Sequence, residues 1–361
     1  VLEDSVDPAM LRHHGDVEAR PGMLDFAVNV QGIAPPDWLR ERLAARLGDL
    51  GRYPSSDDEH AARAAVAARH GRSPDEVLLL AGAAEGFAML PRLAPRLAAV
   101  IHPSFTEPEL ALREADVPVA RVILERPYTL DPTLVPDAAD LVVVGNPTNP
   151  TSILHPAETM QALRRPGRTI VIDEAFADAV AGHGVDGSGD GRSGPASEEP
   201  ESLAGLSAPD VLVFRSLTKT WALAGLRCGY ALGAPEVLAR LTHGRPHWPL
   251  GTLQLEAIIA TAEPAAVAES RQHAHRIAAD RTAMIDRLAA LGVDVHTPAT
   301  GPFLLLRVPD GALLRKHLAD LGIAVRRADT FPGLGPDHLR VAVRGAAEVD
   351  RLIHALSAAL W

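Results

Sequence analysis

The strongest constraint on this chain is a series of short, continuous apolar runs separated by amphipathic stretches. Val77–Leu80 (VLLL), Ala98–Ile101 (AAVI), Val119–Leu124 (VARVIL), Leu141–Val144 (LVVV), Thr169–Ile172 (TIVI) and Val211–Phe214 (VLVF) are four to six residues long. Runs of this length, mostly bounded by Gly, Pro or Asp, read as buried strands. Helical patterns lie between several of them. Asp58–His70 has Asp and Glu in its first turn and Gly71 just past its end, which suits the helix dipole and a left-handed stop. Glu107–Ala115 and His155–Arg164 behave similarly. Parallel strands need crossovers, and helices supply them. The alternation therefore predicts an α/β fold with a mainly parallel sheet.

The texture changes from about Arg276. A helix over Arg276–Leu291 leads to Val293–Val295, a Phe303–Val308 strand and a helix near Gly311–Leu321. Ile323–Arg326, Leu339–Val343 and a last helix, Ala347–Leu360, follow. This order predicts a smaller α+β domain. The expected organisation is an N-terminal arm over 1–35, a large domain over 36–275 and a small domain over 276–361. Gly182–Ser202 is Gly/Ser/Asp/Glu-rich with no periodic apolar face, so it reads as a mobile surface loop. Its formal GxGxxG (Gly182, Gly184, Gly187) is no dinucleotide fingerprint, because more glycine follows where a helix should start.

Composition removes several function classes. The formal net charge of -11 argues against nucleic acid and anionic membrane as partners. One cysteine, Cys228, excludes a disulfide within the chain and a cysteine-rich metal site, and it reads as a buried packing residue. His13-His14 has no second cluster at metal-ligand spacing, so no metal is expected. No apolar run reaches membrane-spanning length, and Val1–Met10 lacks a signal-peptide pattern. A cytoplasmic protein is the expectation. Of the 35 basic residues only Lys219 and Lys316 are lysine. Lysine chemistry has two candidates, and Lys316 reads as a helix surface residue.

Ligands of open parallel sheets bind beyond the carboxyl ends of the strands. Four of the predicted strands run straight into polar or glycine-rich clusters: Ala81–Gly86, Gly145–Thr151, Asp173–Phe176 and Arg215–Lys219. Their parts suit pyridoxal 5'-phosphate (PLP), which needs an amine for its aldehyde, a carboxylate for its ring nitrogen and a phosphate cradle. Lys219 can supply the amine, Asp173 the carboxylate and Asn149 a donor to the ring oxygen. Ala83 and Ala84, after Gly82 at a helix start, offer backbone N–H groups to the phosphate. Ser216 and Arg227 can complete the cradle, with Thr218 beside them.

These residues carry a resemblance. NPTNPTS (Asn146–Ser152), DEAF (Asp173–Phe176) and SLTKTWALAGLRCGY (Ser216–Tyr230) resemble the class I/II aminotransferases of PLP fold type I. The resemblance implies a three-layer, aspartate-aminotransferase-like large domain, a smaller C-terminal α+β domain and a homodimer. It implies that Lys219 is the Schiff-base lysine, Asp173 the ring-nitrogen partner and Asn149 the ring-oxygen donor, with Ser216 and Arg227 on the phosphate. Phe105 matches the aromatic that stacks on the ring. Tyr53 matches the tyrosine that reaches the phosphate in the neighbouring subunit, and Arg340 the arginine that clamps a substrate carboxylate. Two positions depart: Phe176 stands where many relatives have tyrosine, and Ser152 where glycine is common.

Within the family, the histidinol-phosphate aminotransferases and the threonine-phosphate decarboxylases look most similar. The ends favour the decarboxylases: His14-Gly15-Asp16, Leu24–Asn29 and Gly32 at the start, then Val325-Arg326, Phe331–Leu334 and Leu339–Arg344 at the close. Val30-Gln31 departs from their pattern. Asn29, Gly32, Asn149, Arg326, Arg340 and Arg344 are the expected substrate ligands. The expected activity is decarboxylation of L-threonine O-3-phosphate for cobalamin synthesis, on a small phosphorylated amino acid. The alternatives are a histidinol-phosphate-type aminotransferase and, from another class, a catalytically silent PLP-binding regulatory module.

Overall fold

The computed structural model describes residues 8–13, 15–182 and 199–360. Its centre is a seven-stranded sheet: β1 (Val77–Leu80), β2 (Ala98–His102), β3 (Val119–Ile123), β4 (Leu141–Gly145), β5 (Thr169–Asp173), β6 (Val211–Ser216) and β7 (Gly229–Leu232). The spatial order is β1-β7-β6-β5-β4-β2-β3. Only β7 runs antiparallel to its neighbours, so β1, β4, β5 and β6 end on one side. The four polar clusters therefore meet at one edge.

The alternation of side chains explains why the runs are uniformly apolar. Leu79, Val142, Val144, Ile170, Ile172 and Val213 enter a core on one face. Leu80, Leu141, Val143, Val171, Leu212 and Phe214 enter a second core on the other. Helices cover both faces, giving three layers. Each such side chain contributes about 1.5–3 kcal/mol by leaving water. The smaller unit has its own core, including Leu304, Leu306, Leu339, Val341 and Leu352. Its sheet pairs Phe303–Arg307 with His338–Ala342, flanked by Arg326–Arg327 and Asp294–Val295. Leu24–Asp25 pairs in parallel with Ile323–Ala324, which draws the N-terminal segment to this unit.

Several boundaries differ from the sequence reading. The helix expected from Arg276 begins at Pro264 and runs to Ala290, so residues 275 and 276 lie within it. Its first half packs Ala266 into the large core and its second half packs Ile277, Met284 and Leu288 into the small one. The helix expected over His155–Arg164 shortens to Ala157–Gln161. Strand β7 was not expected. Of Gly182–Ser202, residues 183–198 lie outside those described, as does His14. The end of that stretch is not a mobile loop. Glu199 accepts from Arg69 at 2.8 Å and from Arg215 at 2.7 Å, and Ser202 donates to Glu174 at 2.7 Å. The compositional signal could not show these partners, which are distant in sequence.

Ser152 has a structural explanation. It sits at φ 65, the left-handed region that favours glycine. Its buried Oγ accepts the Gly301 N–H at 2.7 Å, and its carbonyl accepts the Thr300 N–H at 2.8 Å. Ser152→Ala should therefore lower unfolding stability by about 1–3 kcal/mol, because the Gly301 donor loses its acceptor. Ser152→Gly should lose less, because glycine accepts that backbone. Urea denaturation of both variants checks the order, and an alanine variant as stable as the parent would refute it.

Candidate active site

One cavity of about 370 Å³ opens at the carboxyl ends of β1, β4, β5 and β6. Asp173 ends β5 and Ser216 ends β6, and their positions along the strands put them on the same face as Val171 and Phe214. Lys219 follows in the turn after β6, and its carbonyl accepts the Gln31 N–H at 2.9 Å. That bond seats the N-terminal segment across the site. Ser216 and Thr218 are linked hydroxyl to hydroxyl at 2.7 Å.

The cradle depends on close backbone approach. Gly82 lies at φ 84, and a Cβ there would stand 2.8 Å from Arg227 Nη2. At Gly229 a Cβ would stand 2.5 Å from the Arg215 carbonyl oxygen. Without these glycines, the helix start at Ala83 and Ala84 could not lie beside Ser216 and Arg227. The first N–H groups of that helix have no partner within it and face the cavity end.

Asp173 is partly buried and accepts the Ala175 N–H at 3.1 Å. Burial pushes its carboxyl up to about 6, with the neighbouring Glu174 adding to this and Lys219 opposing it. Asn149 Oδ1 accepts from Arg340 at 2.8 Å, which leaves the amide NH₂ unused in that pair. Phe105 lines the cavity and tilts against Phe87 at 6.1 Å between centroids. Phe176 also lines it, edge-on to Phe303 at 4.9 Å, and offers no hydroxyl.

At the far end, Asp25 accepts the N–H groups of Ala27 and Val28 at 2.7 and 2.9 Å and so shapes the turn before Asn29. Asn29 is buried in the cavity lining with its Oδ1 unpartnered. Arg340 donates to the Ala27 carbonyl. Arg326 donates to Thr330 Oγ1 at 2.7 Å and to the His13 carbonyl at 2.6 Å. The two arginines are direct partners across antiparallel strands, and both are buried. Opposed like charges are unfavourable. Burial, reinforced by Arg326, pushes the Arg340 guanidinium down to about 9. Such a pair is suited to an anion.

Two expected residues, Arg344 and Gly32, lie elsewhere, and Tyr53, expected in the neighbouring subunit's site, lies outside this cavity. Arg344 does not face this cavity. The strand ends at Ala342, so the alternation that directs Arg340 inward no longer applies. Arg344 donates instead to the carbonyls of Asp25 at 3.0 Å and Val28 at 2.6 Å. Gly32 lines a separate cavity with Arg344, His273 and Arg276. Tyr53 is 76% exposed and stacks on Trp248 at 4.5 Å. Conversely, His13, Thr106 and Phe331 line the cavity but were not expected there. A tie from Thr106 Oγ1 to the Leu11 carbonyl at 2.6 Å brings His13 in, and no local pattern signals it. Cys228 is fully buried with its thiol pushed up to about 12 by burial, and Lys316 is on the surface.

A partly buried carboxylate, an amine, two hydroxyls, a guanidinium and helix-start N–H groups converge here. Comparison with known proteins agrees with that donor set. Residues 21–356 match the family described as Aminotransferase class I and II, and the chain belongs to that family. It is a PLP-dependent enzyme of fold type I. It is 55% identical over 341 residues to a histidinol-phosphate aminotransferase of Mycobacterium tuberculosis, covering 94% of this chain and 89% of the relative. It is 28% identical to the threonine-phosphate decarboxylase of Salmonella typhimurium, covering 92% and 90%. In fold it is similar to the histidinol-phosphate aminotransferase of Clostridium acetobutylicum, with a TM-score of 0.82 and 23% identity over 93% of this chain and 99% of that one. Among the described residues, no helix is long and apolar enough to cross a membrane.

The raised Asp173 carboxyl makes a testable statement about the cofactor-free protein. A group whose folded value lies above its unfolded value favours folding when protonated, and that favour is lost as pH rises through about 6. Asp173→Asn should thus stabilise the apoprotein above pH 6, by on the order of 3 kcal/mol or a few degrees in Tm. The gain should vanish near pH 4. Thermal melts of both apoproteins across that range check it, and a pH-independent difference would contradict it.

Proposed function

We propose that this enzyme is an aminotransferase of the histidinol-phosphate type, acting on a phosphorylated amine. The opposed, buried pair Arg326 and Arg340 is the observation that carries the reading. Two guanidiniums side by side suit a phosphate monoester in one half-reaction and a dicarboxylic 2-oxo acid in the other. The unpartnered Asn29 Oδ1 suits an imidazole N–H. The relative at 55% identity supports this reading over the decarboxylase that the two ends of the chain suggest.

When bound, PLP supplies an electron sink for the bond broken at the substrate Cα. The chain supplies the rest. Lys219 Nζ would hold the cofactor's aldehyde carbon and, when free, would carry a proton at the substrate Cα. Asp173 pairs with the ring nitrogen. Asn149 donates to the ring oxygen while its own oxygen stays on Arg340. Ser216, Thr218, Arg227 and the Ala83 and Ala84 N–H groups hold the phosphate, and Phe105 covers the ring. The absence of a hydroxyl at Phe176 leaves Asn149 as the side-chain donor to the ring oxygen.

A specific observation favours the second reading too. A substrate with both a carboxylate and a phosphate would fill Arg340 and Arg326 at once. The reaction would then turn on which Cα substituent Arg340 holds: a carboxylate clamped by its guanidinium would be retained, and one left unclamped could leave as CO₂. Purified enzyme should transfer the amine of histidinol phosphate to 2-oxoglutarate. CO₂ release from threonine phosphate without an oxo acid, and no transfer, would overturn the first reading in favour of the second. Lys219→Ala should abolish the visible absorption band of the lysine-bound cofactor, and a parent enzyme with no such band would end both.

We also read the enzyme as a cytoplasmic homodimer. Tyr53 and Trp248 form an exposed stack near Leu47 and Leu50, which are also exposed. This face suits a second copy, with Tyr53 reaching the partner's phosphate site. The double variant Tyr53→Asp, Trp248→Asp should run at monomer mass in light scattering and bind PLP at least about tenfold more weakly, the order expected for losing one hydrogen bond to a charged group. An unchanged dimer would exclude this face.

A further inference from the structure

The densest set of buried charges outside the cavity stands directly behind it. Asp173 and Ser216 face the cavity, and Glu174 and Arg215, their neighbours in the chain, project from the opposite face of the sheet. Arg215 donates to Glu174 at 3.0 Å, to Glu199 at 2.7 and 3.0 Å, and to Asp178. Arg69, from the helix Ser56–His70, donates to the same Asp178 oxygen at 2.7 Å and to Glu199 at 2.8 Å. The Leu203 N–H and Ser202 Oγ complete the contacts of Glu174, both at 2.7 Å. His70 and Tyr230 pair at 2.8 Å on its border, and Arg271 approaches Arg69 from the long helix. Burial pushes His70 down to about 3 and Tyr230 up to about 12, so neither carries charge at neutral pH.

Stability alone is a poor reason for such a cluster. Burying ions is costly, and apolar side chains of similar volume often serve as well. Its placement offers another reason. It binds the turn that carries Asp173 to the strand that leads to Lys219, and in a water-poor interior charge acts across one sheet thickness. The charge on Glu174 already registers at Asp173. We propose that the cluster centred on Arg215 sets the ionisation of Asp173 and Lys219 from the far side of the sheet, which makes Arg215 and Glu199 positioning residues for the reaction. The inference rests on the reading that Asp173 and Lys219 hold PLP.

The sign of the effect makes it testable. At about 10 Å and an effective dielectric constant of about 20, one unit charge moves a titration by on the order of one pH unit. A negative charge behind the sheet favours the protonated form of the nitrogen that joins Lys219 to the cofactor. The pH midpoint of the visible band of PLP-loaded enzyme is therefore the readout. Glu199→Gln keeps the shape, removes one negative charge and should lower the midpoint by about half a pH unit or more. Arg215→Gln removes a positive charge and should raise it. Opposite displacements fit charge tuning, whereas loosened packing has no reason to follow the sign of the charge removed. Equal-signed displacements, or a folded Glu199→Gln enzyme whose midpoint stays within about 0.1 pH unit of the parent, would overturn the proposal, whether or not Arg215→Gln folds. A parent band that Lys219→Ala abolishes keeps the cofactor reading intact in that event, so the two failures are distinct.

Discussion

Burying charge at the carboxyl ends of β5 and β6 is the constraint on which the rest of the structure depends. A parallel sheet covered on both faces has no water to offer an ionisable side chain, so each one requires a partner or a neutral form. The chain meets the requirement differently on the two faces. Behind the sheet, Glu174 and Arg215 are fully partnered, down to the Leu203 N–H. In front, Asp173 keeps one backbone donor. A carboxyl left short of partners is a liability for an empty protein and an asset for one that receives a ring nitrogen. The same two strands therefore carry a structural use of charge on one face and a chemical use on the other.

The small unit repeats this logic at the far end of the cavity. Arg340 and Arg326 face each other across a strand pair and donate to carbonyls, a hydroxyl and an amide oxygen. These acceptors hold each guanidinium in place. The turn shaped by Asp25 supplies one of those carbonyls, and the Gln31–Lys219 bond ties the same segment to the cofactor side. The N-terminal segment is thus a working wall of the site, joining the strand ends of the large sheet to the arginines of the small one.

What the sequence made legible follows from how local each signal is. Five strands are visible because burial on both faces writes itself as an unbroken apolar run, and the edge strand Val119–Ile123 still shows through despite Arg121 and its exposed Ile123. The seventh, Gly229–Leu232, is hidden inside a motif whose glycine and tyrosine read as chemistry. Lys219, Asp173, Asn149 and Ser216 are legible together because each lies at or just past a predicted strand end, so one topological rule gathers them, and Arg227 is read from its spacing to Lys219. Arg344, expected from the resemblance, lies outside the cavity because the strand stops at Ala342 and its guanidinium donates to the Asp25 and Val28 carbonyls. His13 is invisible because its place depends on Thr106 holding Leu11, about a hundred residues away. Glu199 is hidden in the same way, since composition marks its surroundings as loop and only Arg69 and Arg215 reveal its anchoring.

The split between a firmly identified family and a proposed reaction has the same physical origin. Residues that hold the cofactor serve every reaction of the family and sit at fixed strand ends, where the backbone determines their positions. Residues that choose the reaction must orient a substrate by a fraction of a bond rotation. On the proposed reading they would lie on three pieces of chain: the Asp25–Asn29 turn, the Arg326 and Arg340 strand pair, and Asn149. Each is held to the others by side-chain contacts across units, such as Arg340 to Asn149 and to Ala27. Small changes in these contacts would turn the Cα substituent without disturbing the cradle. On the proposed reading, the hydrogen bond from Arg340 to Asn149 puts a substrate-holding guanidinium and a ring-oxygen donor on one side-chain amide, so orienting the substrate and polarising the ring would be mechanically coupled.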